Sequence, residues 1–306
     1  MMENQNMDAI LLDHKRMAVH DGPGIRTTFF FKGCSLKCRW CHNPESISFA
    51  PQMGYFEHKC INCGECGSVC ENSAHIFDAE QHRFVPEKCT VCGACEDACI
   101  GQAMKLYGRR TTLEQALALA LEDEPFYRNS GGGITVSGGE PLLQIDFAEA
   151  FLKALKEHGL HTAVDTCANV PAGSIRRVMP FTDLFLVDFK HADPEQHKRL
   201  TGADNTLICK NLKMLSDAGA AIEIRIPFVP FCNDSEENLR KTGEFLKDLN
   251  ISLIRILPYH DLARGKYKAV SMPDTMPETD TPTDEQILHA AEILRQYGLN
   301  ARSGKE

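Results

Sequence analysis

Eleven of the chain's fourteen cysteines fall in three short groups, and their spacing constrains fold and chemistry more than any other feature of the 306 residues. Cys34, Cys38 and Cys41 form a triplet, and two quartets follow, Cys60, Cys63, Cys66, Cys70 and Cys89, Cys92, Cys95, Cys99. Only Cys167, Cys209 and Cys232 stand alone, and they read as plain buried thiols. In a small secreted chain such a count would mean disulfides. Here the length is that of a large α/β domain, and residues 1–20 carry no apolar signal-peptide core. The cysteines therefore read as metal or redox ligands of a cytoplasmic protein. No run of about 18 apolar residues exists to span a membrane. Lys+Arg 33 against Asp+Glu 42 gives a net charge of −9, the wrong sign for a nucleic-acid binder.

The two quartets are an internal repeat with an offset of 29, which also carries Gly64 onto Gly93 and Ala74 onto Ala103. Each is Cys-x2-Cys-x2-Cys-x3-Cys, the spacing of bacterial two-cluster ferredoxins, in which the fourth cysteine ligates the other cluster. That assigns Cys60, Cys63, Cys66 and Cys99 to one [4Fe–4S] cluster, and Cys89, Cys92, Cys95 and Cys70 to the second. Glu71 and Ile100 stand where a proline usually follows. A fully ligated cluster offers no open iron, so this pair should carry electrons and not bind substrate. Segment 51–107 has little apolar mass and no long helical period, so we read it as an inserted ferredoxin-like domain whose core is its metal. It separates 1–50 from 108–306.

Outside the insertion, strands alternate with helices. Strands are expected at 27–31, 134–137, 161–165, 184–189, 221–227 and 252–257. Helices are expected at 113–124 behind a Thr112/Gln115 capping box, from 146 to a stop at Gly159, after Asp193-Pro194, at 206–218 and at 235–249. The last is opened by Thr283 and Gln286. This order predicts a parallel α/β fold, a partial (β/α)6 TIM-like barrel, with chemistry at the carboxyl ends of the strands.

Three thiolates on one loop can hold three irons of a cube and leave the fourth open to a substrate. A zinc ion completed by His42 is the alternative. Ser137-Gly138-Gly139-Glu140-Pro141 follows a strand, and glycine lets backbone oxygens approach a ligand amine. A phosphate cradle is the rival, helped by the glycines at 131–133, but no Gly-Lys-Ser/Thr follows; a tight turn is the plain reading. Asp165 and Asp188, with Lys190, end adjacent strands and could hold ribose hydroxyls or a small cation. Arg225 interrupts an apolar strand and needs a partner, either a ligand or a core acid. Read alone, His260 is a satisfied structural histidine and Trp40, the one tryptophan, a core residue.

The stretches Asp21-Gly-Pro-Gly-Ile-Arg26, Phe31-Lys-Gly33 and Cys34-x3-Cys38-x2-Cys41-His42-Asn43-Pro44-Glu45 resemble the radical S-adenosylmethionine (SAM) enzymes. Within them, the chain is similar to the activating enzymes of glycyl radical enzymes. That resemblance implies an oxidoreductase in which SAM chelates the open iron of a cluster on Cys34, Cys38 and Cys41, the catalytic site. One electron splits SAM to methionine and a 5′-deoxyadenosyl radical, which takes a hydrogen from a glycine Cα of a partner glycyl radical enzyme. It also implies that Gly138, Gly139 and Glu140 lie against the methionine amino group, with Asp165, Asp188 and Lys190 in a region contacting SAM and a monovalent cation. Arg225 then faces SAM, His260 lies near the adenine, and the Trp40 backbone lies against SAM. Lys266-Tyr267 also match the pattern, while Ala263 stands where glycine is usual. Three clusters, an electron donor such as flavodoxin or ferredoxin, and no nucleic-acid or membrane partner complete the expectation. A different radical SAM maturase would usually carry its auxiliary clusters toward the C-terminus. An iron–sulfur electron carrier would leave the triplet and the Gly-Gly-Glu loop unexplained.

Overall fold

A computed structural model describes residues 7–78 and 81–304. Residues 1–6 of the N-terminal stretch, 79–80 of the insertion and 305–306 lie outside the described residues. The main sheet has nine strands: β1 (Asp8–Ala18), β2 (Arg26–Phe31), β3 (Arg109–Thr112), β4 (Gly133–Gly138), β5 (His161–Thr166), β6 (Leu184–Asp188), β7 (Ile222–Phe228), β8 (Leu253–Pro258) and β9 (Ala301–Ser303). Their order is β9-β8-β7-β6-β5-β4-β2-β1-β3. The six expected strands are β2 and β4 to β8, consecutive parallel neighbours. Three further strands extend the sheet: β9 pairs parallel to β8, and β1 pairs antiparallel to both β2 and β3.

The parallel strands are apolar because both their faces are covered. Phe29, Phe31, Ile134, Val136, Val164, Phe185, Val187, Ile224 and Ile254 are all essentially fully buried in one continuous core. The connecting helices begin where the caps predict. Thr112 and Thr283 each form a reciprocal capping box, with Gln115 and Gln286. The Asp193 and Ser235 side chains accept from the backbone N–H groups of Gln196 and Asn238. The expected 113–124 helix is two, Leu113–Leu121 and Glu124–Ser130, because Pro125 opens the second. Among the described residues no helix is long and apolar enough to cross a membrane.

Between β2 and β3 the chain builds two small antiparallel sheets, Gln52–Tyr55 with Met104–Tyr107 and His75–Phe77 with His82–Phe84. The 29-residue repeat holds at the backbone. Four-residue helices Glu65–Ser68 and Ala94–Asp97 follow Gly64 (φ 83°) and Gly93 (φ 85°). Asn62 and Val91 share a positive φ, as do Ser73 and Gln102. The apolar core here is small: Met53, Met104 and the buried cysteines Cys66 and Cys95.

Candidate active site

The carboxyl ends of six parallel strands and the loops that follow them enclose one cavity of about 480 Å³. The loop after β2 contributes Cys34, Cys38, Trp40 and Cys41. The end of β4 contributes Ser137 and Gly138, with Gly139 after it. Asp165 comes from β5, Asp188 and Lys190 from the end of β6, Arg225 from β7, and Tyr259 and His260 from beyond β8. Except for Glu140, every residue proposed for the SAM and triplet-cluster site thus lines this one cavity.

The triplet loop is anchored on both sides. The Lys37 and Arg39 N–H groups donate to the Thr201 and Leu200 carbonyls (2.7 and 3.0 Å), and the Tyr267 hydroxyl donates to the Cys41 carbonyl (3.0 Å). The Lys266 ammonium donates to the His42 carbonyl, the Asn43 side chain and Glu45 (2.9, 3.0 and 2.8 Å). Burial pushes the Cys38 and Cys41 thiols up to about 11 and about 12. Contact with the Cys167 side chain draws the Cys34 thiol down, and the same contact holds Cys167 well up. His42 stacks on His260 with ring centroids 4.1 Å apart, and burial holds its imidazole down at about 4. His42 Nε2 lies 3.0 Å from the His260 carbonyl, so that ring nitrogen is already engaged away from the thiols.

Two glycines allow the next loop to close on the triplet loop. A Cβ on Gly139 would lie 2.2 Å from the Gly33 carbonyl oxygen, and one on Gly138 (φ 119°) would lie 2.2 Å from the Phe31 nitrogen. Glu140 is different: it is fully buried and absent from the cavity wall. Its Oε2 accepts from Thr166 Oγ1 (2.7 Å), the Cys167 N–H (2.9 Å) and the Cys167 thiol (3.1 Å), and its Oε1 accepts from the Leu142 N–H (3.1 Å). Burial raises its carboxyl against these bonds. Glu140 thus forms a structural tie between the loop after β4 and the end of β5, with three donors on Oε2 and one on Oε1.

A charged group forms one side of the cavity. Lys190 Nζ lies 2.7 Å from Asp188, Arg225 lies 3.4 Å from Asp165 and 4.0 Å from Asp21, and the Ser137 hydroxyl donates to Asp165 (2.7 Å). Burial pushes Asp165 up to about 6, opposed by Arg225. Burial works against the Lys190 charge, but Asp188 and the neighbouring thiols outweigh it. Arg225 Nε and His260 Nδ1 are buried without a hydrogen-bond partner. Both belong to the cavity wall, so a polar ligand there would satisfy them.

In the insertion, the cysteines sort into two small cavities. Cys60, Cys63, Cys66 and Cys99 line one, with His82 and Met104. Cys70, Cys89, Cys92 and Cys95 line the other, with His75 and Met53. The Ala74 and Ala103 N–H groups donate to the Cys70 and Cys99 sulfurs (3.4 and 3.1 Å), repeat-equivalent contacts.

Some residues of the site were not singled out by sequence. Cys167 is buried but lines the main cavity and donates to Glu140, so it is more than packing. Its position two residues after Asp165 was the available signal. Cys209 and Cys232 are half-buried, against the expectation of burial. Asp21 supplies a third carboxylate beside Arg225.

A sequence model of the Radical SAM superfamily matches residues 82–243, and one of the 4Fe-4S dicluster domain matches 53–100. The trans-4-hydroxy-L-proline dehydratase activating enzyme of Clostridioides difficile is 39% identical, over 97% of this chain and 100% of that protein. The (2S)-3-sulfopropanediol dehydratase activating enzyme of Klebsiella oxytoca is 36% identical, over 98% of each. The crystal structure of Streptococcus suis SuiB bound to precursor peptide SuiA superposes with a TM-score of 0.53 at 14% identity, over 88% of this chain and 46% of that one, a likeness of fold alone. With this coverage, the chain belongs to the radical SAM superfamily and, within it, to the activating enzymes of glycyl radical enzymes.

Proposed function

We propose that this chain installs a glycyl radical on a partner enzyme by reductive cleavage of SAM in the 480 Å³ cavity. The observation that carries the reading is the convergence, in one cavity, of three cysteines from one loop with polar groups from five other strand ends. The residues fit the groups the family uses. Cys34, Cys38 and Cys41 form a three-thiol donor set, and Arg225 Nε and His260 Nδ1 are buried polar atoms awaiting a partner. When bound, a [4Fe–4S] cluster on these thiols would supply the electron that splits a carbon–sulfur bond of SAM.

The chain's own residues hold, orient and exclude. Cys38 and Cys41, held protonated by burial, must release protons as metal binds. Gly138 and Gly139 present peptide groups to the methionine end, while Glu140 fixes their loop from behind. Asp21, Asp165 and Asp188 against Lys190 and Arg225 leave one negative charge when all are ionised, which suits a sulfonium or a monovalent cation. The buried Trp40 and Tyr259 walls keep water from the reacting atoms. His260 offers Nδ1 to the adenine end.

Residues 51–107 act as an electron-carrying insertion holding two auxiliary clusters, fed by a small donor protein such as flavodoxin or ferredoxin in the cytoplasm. A glycyl radical enzyme is the partner, in keeping with the activating enzymes to which the chain is similar. The test is anaerobic incubation of the reduced, SAM-loaded chain with a purified glycyl radical enzyme, read by electron paramagnetic resonance. The expected result is a glycine-centred radical on the partner that is missing with Cys38→Ala. Formation of 5′-deoxyadenosine without a radical on any such enzyme would contradict the reading.

A further inference from the structure

The two cysteine cavities of the insertion are repeat-related, yet their walls differ. Position 82 is the repeat equivalent of Met53, and position 75 that of Met104. One diagonal of the pseudo-symmetric pair is therefore methionine and the other histidine. The two imidazoles meet: His75 Nδ1 lies 2.9 Å from His82 Nε2, and both side chains are buried. His82 also reaches sulfur, with Nδ1 at 3.4 Å from Cys60 Sγ and Nε2 at 3.8 Å from Cys66 Sγ. Cys66, His75 and His82 come close enough that their ligand atoms lie within 4.8 Å of one another.

From these contacts we infer that His75 and His82 form a directed hydrogen-bond relay that ends on the Cys60 sulfur and makes the cluster held by Cys60, Cys63, Cys66 and Cys99 the easier of the two to reduce. The inference rests on the two-cluster reading of the insertion. Its chemistry follows from proton counting. A metal-bound thiolate is an acceptor only, and of the two sulfurs beside His82 the Cys60 sulfur is the nearer, at 3.4 Å against 3.8 Å for Cys66, so His82 presents Nδ1–H to Cys60. A neutral imidazole has one N–H, which leaves His82 Nε2 as an acceptor. His75 Nδ1 must then be the donor across the 2.9 Å contact. The polarity of the whole chain is fixed by the sulfur at its end, and each hydrogen bond polarises the next. Adding an electron to the cluster adds negative charge at its sulfurs, so an N–H aimed there favours the reduced state. Among the described residues, no side-chain hydrogen bond to Cys70, Cys89, Cys92 or Cys95 balances it; the contacts to Cys70 and Cys89 come from backbone N–H groups of Ala74 and Val91.

His82 and His75 are positioning residues, so the test reads potential and not activity. The full chain, with Cys34, Cys38 and Cys41 replaced by alanine to silence the triplet, is titrated under paramagnetic resonance. The parent protein should show two unequal midpoints. His82→Leu should lower the higher one, shifting its oxidised-to-reduced ratio at fixed potential by roughly tenfold, about 59 mV for one electron. The other midpoint should stay. His82→Asn, which can place an amide N–H where Nδ1 lies, should restore most of the shift. His75→Leu, which leaves the Cys60 contact but removes its donor, should lower the same midpoint by less, and it carries the test if His82→Leu loses iron. The displaced signal must be the one perturbed by Cys63→Ser and not by Cys92→Ser. Unmoved midpoints in iron-replete variants, or displacement of the Cys92 signal, overturn the inference. A parent protein that binds no more than a single metal ion at Cys66, His75 and His82 would instead overturn the two-cluster reading beneath it.

Discussion

Thr166 donates its hydroxyl hydrogen to Glu140 across 2.7 Å, which ties the loop after β4 to the end of β5 at the floor of the cavity. With the Cys167 N–H and thiol on the same oxygen, a single buried carboxylate sets the distance between two strand ends that must both face the ligand. Glu140→Gln turns an acceptor into an amide that must aim N–H at donors already there. A stability loss of about 1–3 kcal/mol is expected. Chemical denaturation of the variant against the parent measures it, and an unchanged midpoint would show that the tie is unimportant.

Gly139→Ala should act on the triplet loop, because the new Cβ would sit 2.2 Å from the carbonyl of Gly33, the residue before Cys34. Backbone, and not a flexible side chain, must then move. We expect SAM affinity to fall at least tenfold, on the order of 1.4 kcal/mol, with the insertion's iron retained. Equilibrium binding and iron analysis on the same preparation check both parts.

The six parallel strands were legible because burial on both faces leaves continuous apolar runs, as in Leu184–Asp188. β1 was not, because Asp13, His14, Lys15 and Arg16 crowd its outer half and register shifts break its alternation. β9 has three residues, too few for a pattern. Cavity residues that belong to a motif were legible, whereas Cys167, which also faces the cavity, belongs to none and was not. Glu140 shows the limit: its motif neighbours line the wall, yet its own role depends on Thr166 and Cys167, 26 and 27 residues away, which no local spacing reveals.

Asp165 gives the site a pH dependence. Its folded value of about 6 lies above the roughly 3.9 of an unfolded aspartate. The fold therefore binds this proton more tightly than the unfolded chain does, so its contribution to stability falls as pH rises from about 4 through about 6. Ligand binding runs the other way, since the ionised carboxylate is the form that balances Arg225. SAM affinity measured between pH 5 and 8 should drop below about 6, and Asp165→Asn should flatten that profile. A profile identical in parent and variant would contradict the assignment.

Metal removal should separate the insertion from the sheet. The insertion's core is two methionines and two buried cysteines, whereas the main sheet has a continuous apolar core of its own. Chelation is expected to expose 51–107 to protease while 108–304 stays protected, read by limited proteolysis and hydrogen exchange. Equal protection of both would mean that the insertion folds without its metal.

Iron content should approach about twelve per chain in the parent and about eight in Cys38→Ala. A reproducible four in the parent would remove the insertion's clusters from the account.

The most direct measurement is the yield of 5′-deoxyadenosine from the anaerobically reconstituted, chemically reduced chain given SAM. 5′-Deoxyadenosine should form in the parent and be lost in Cys38→Ala, with the insertion's iron still in place. No product from an iron-replete parent, or undiminished product from the variant, would contradict the claim that Cys34, Cys38 and Cys41 hold the centre that cleaves SAM.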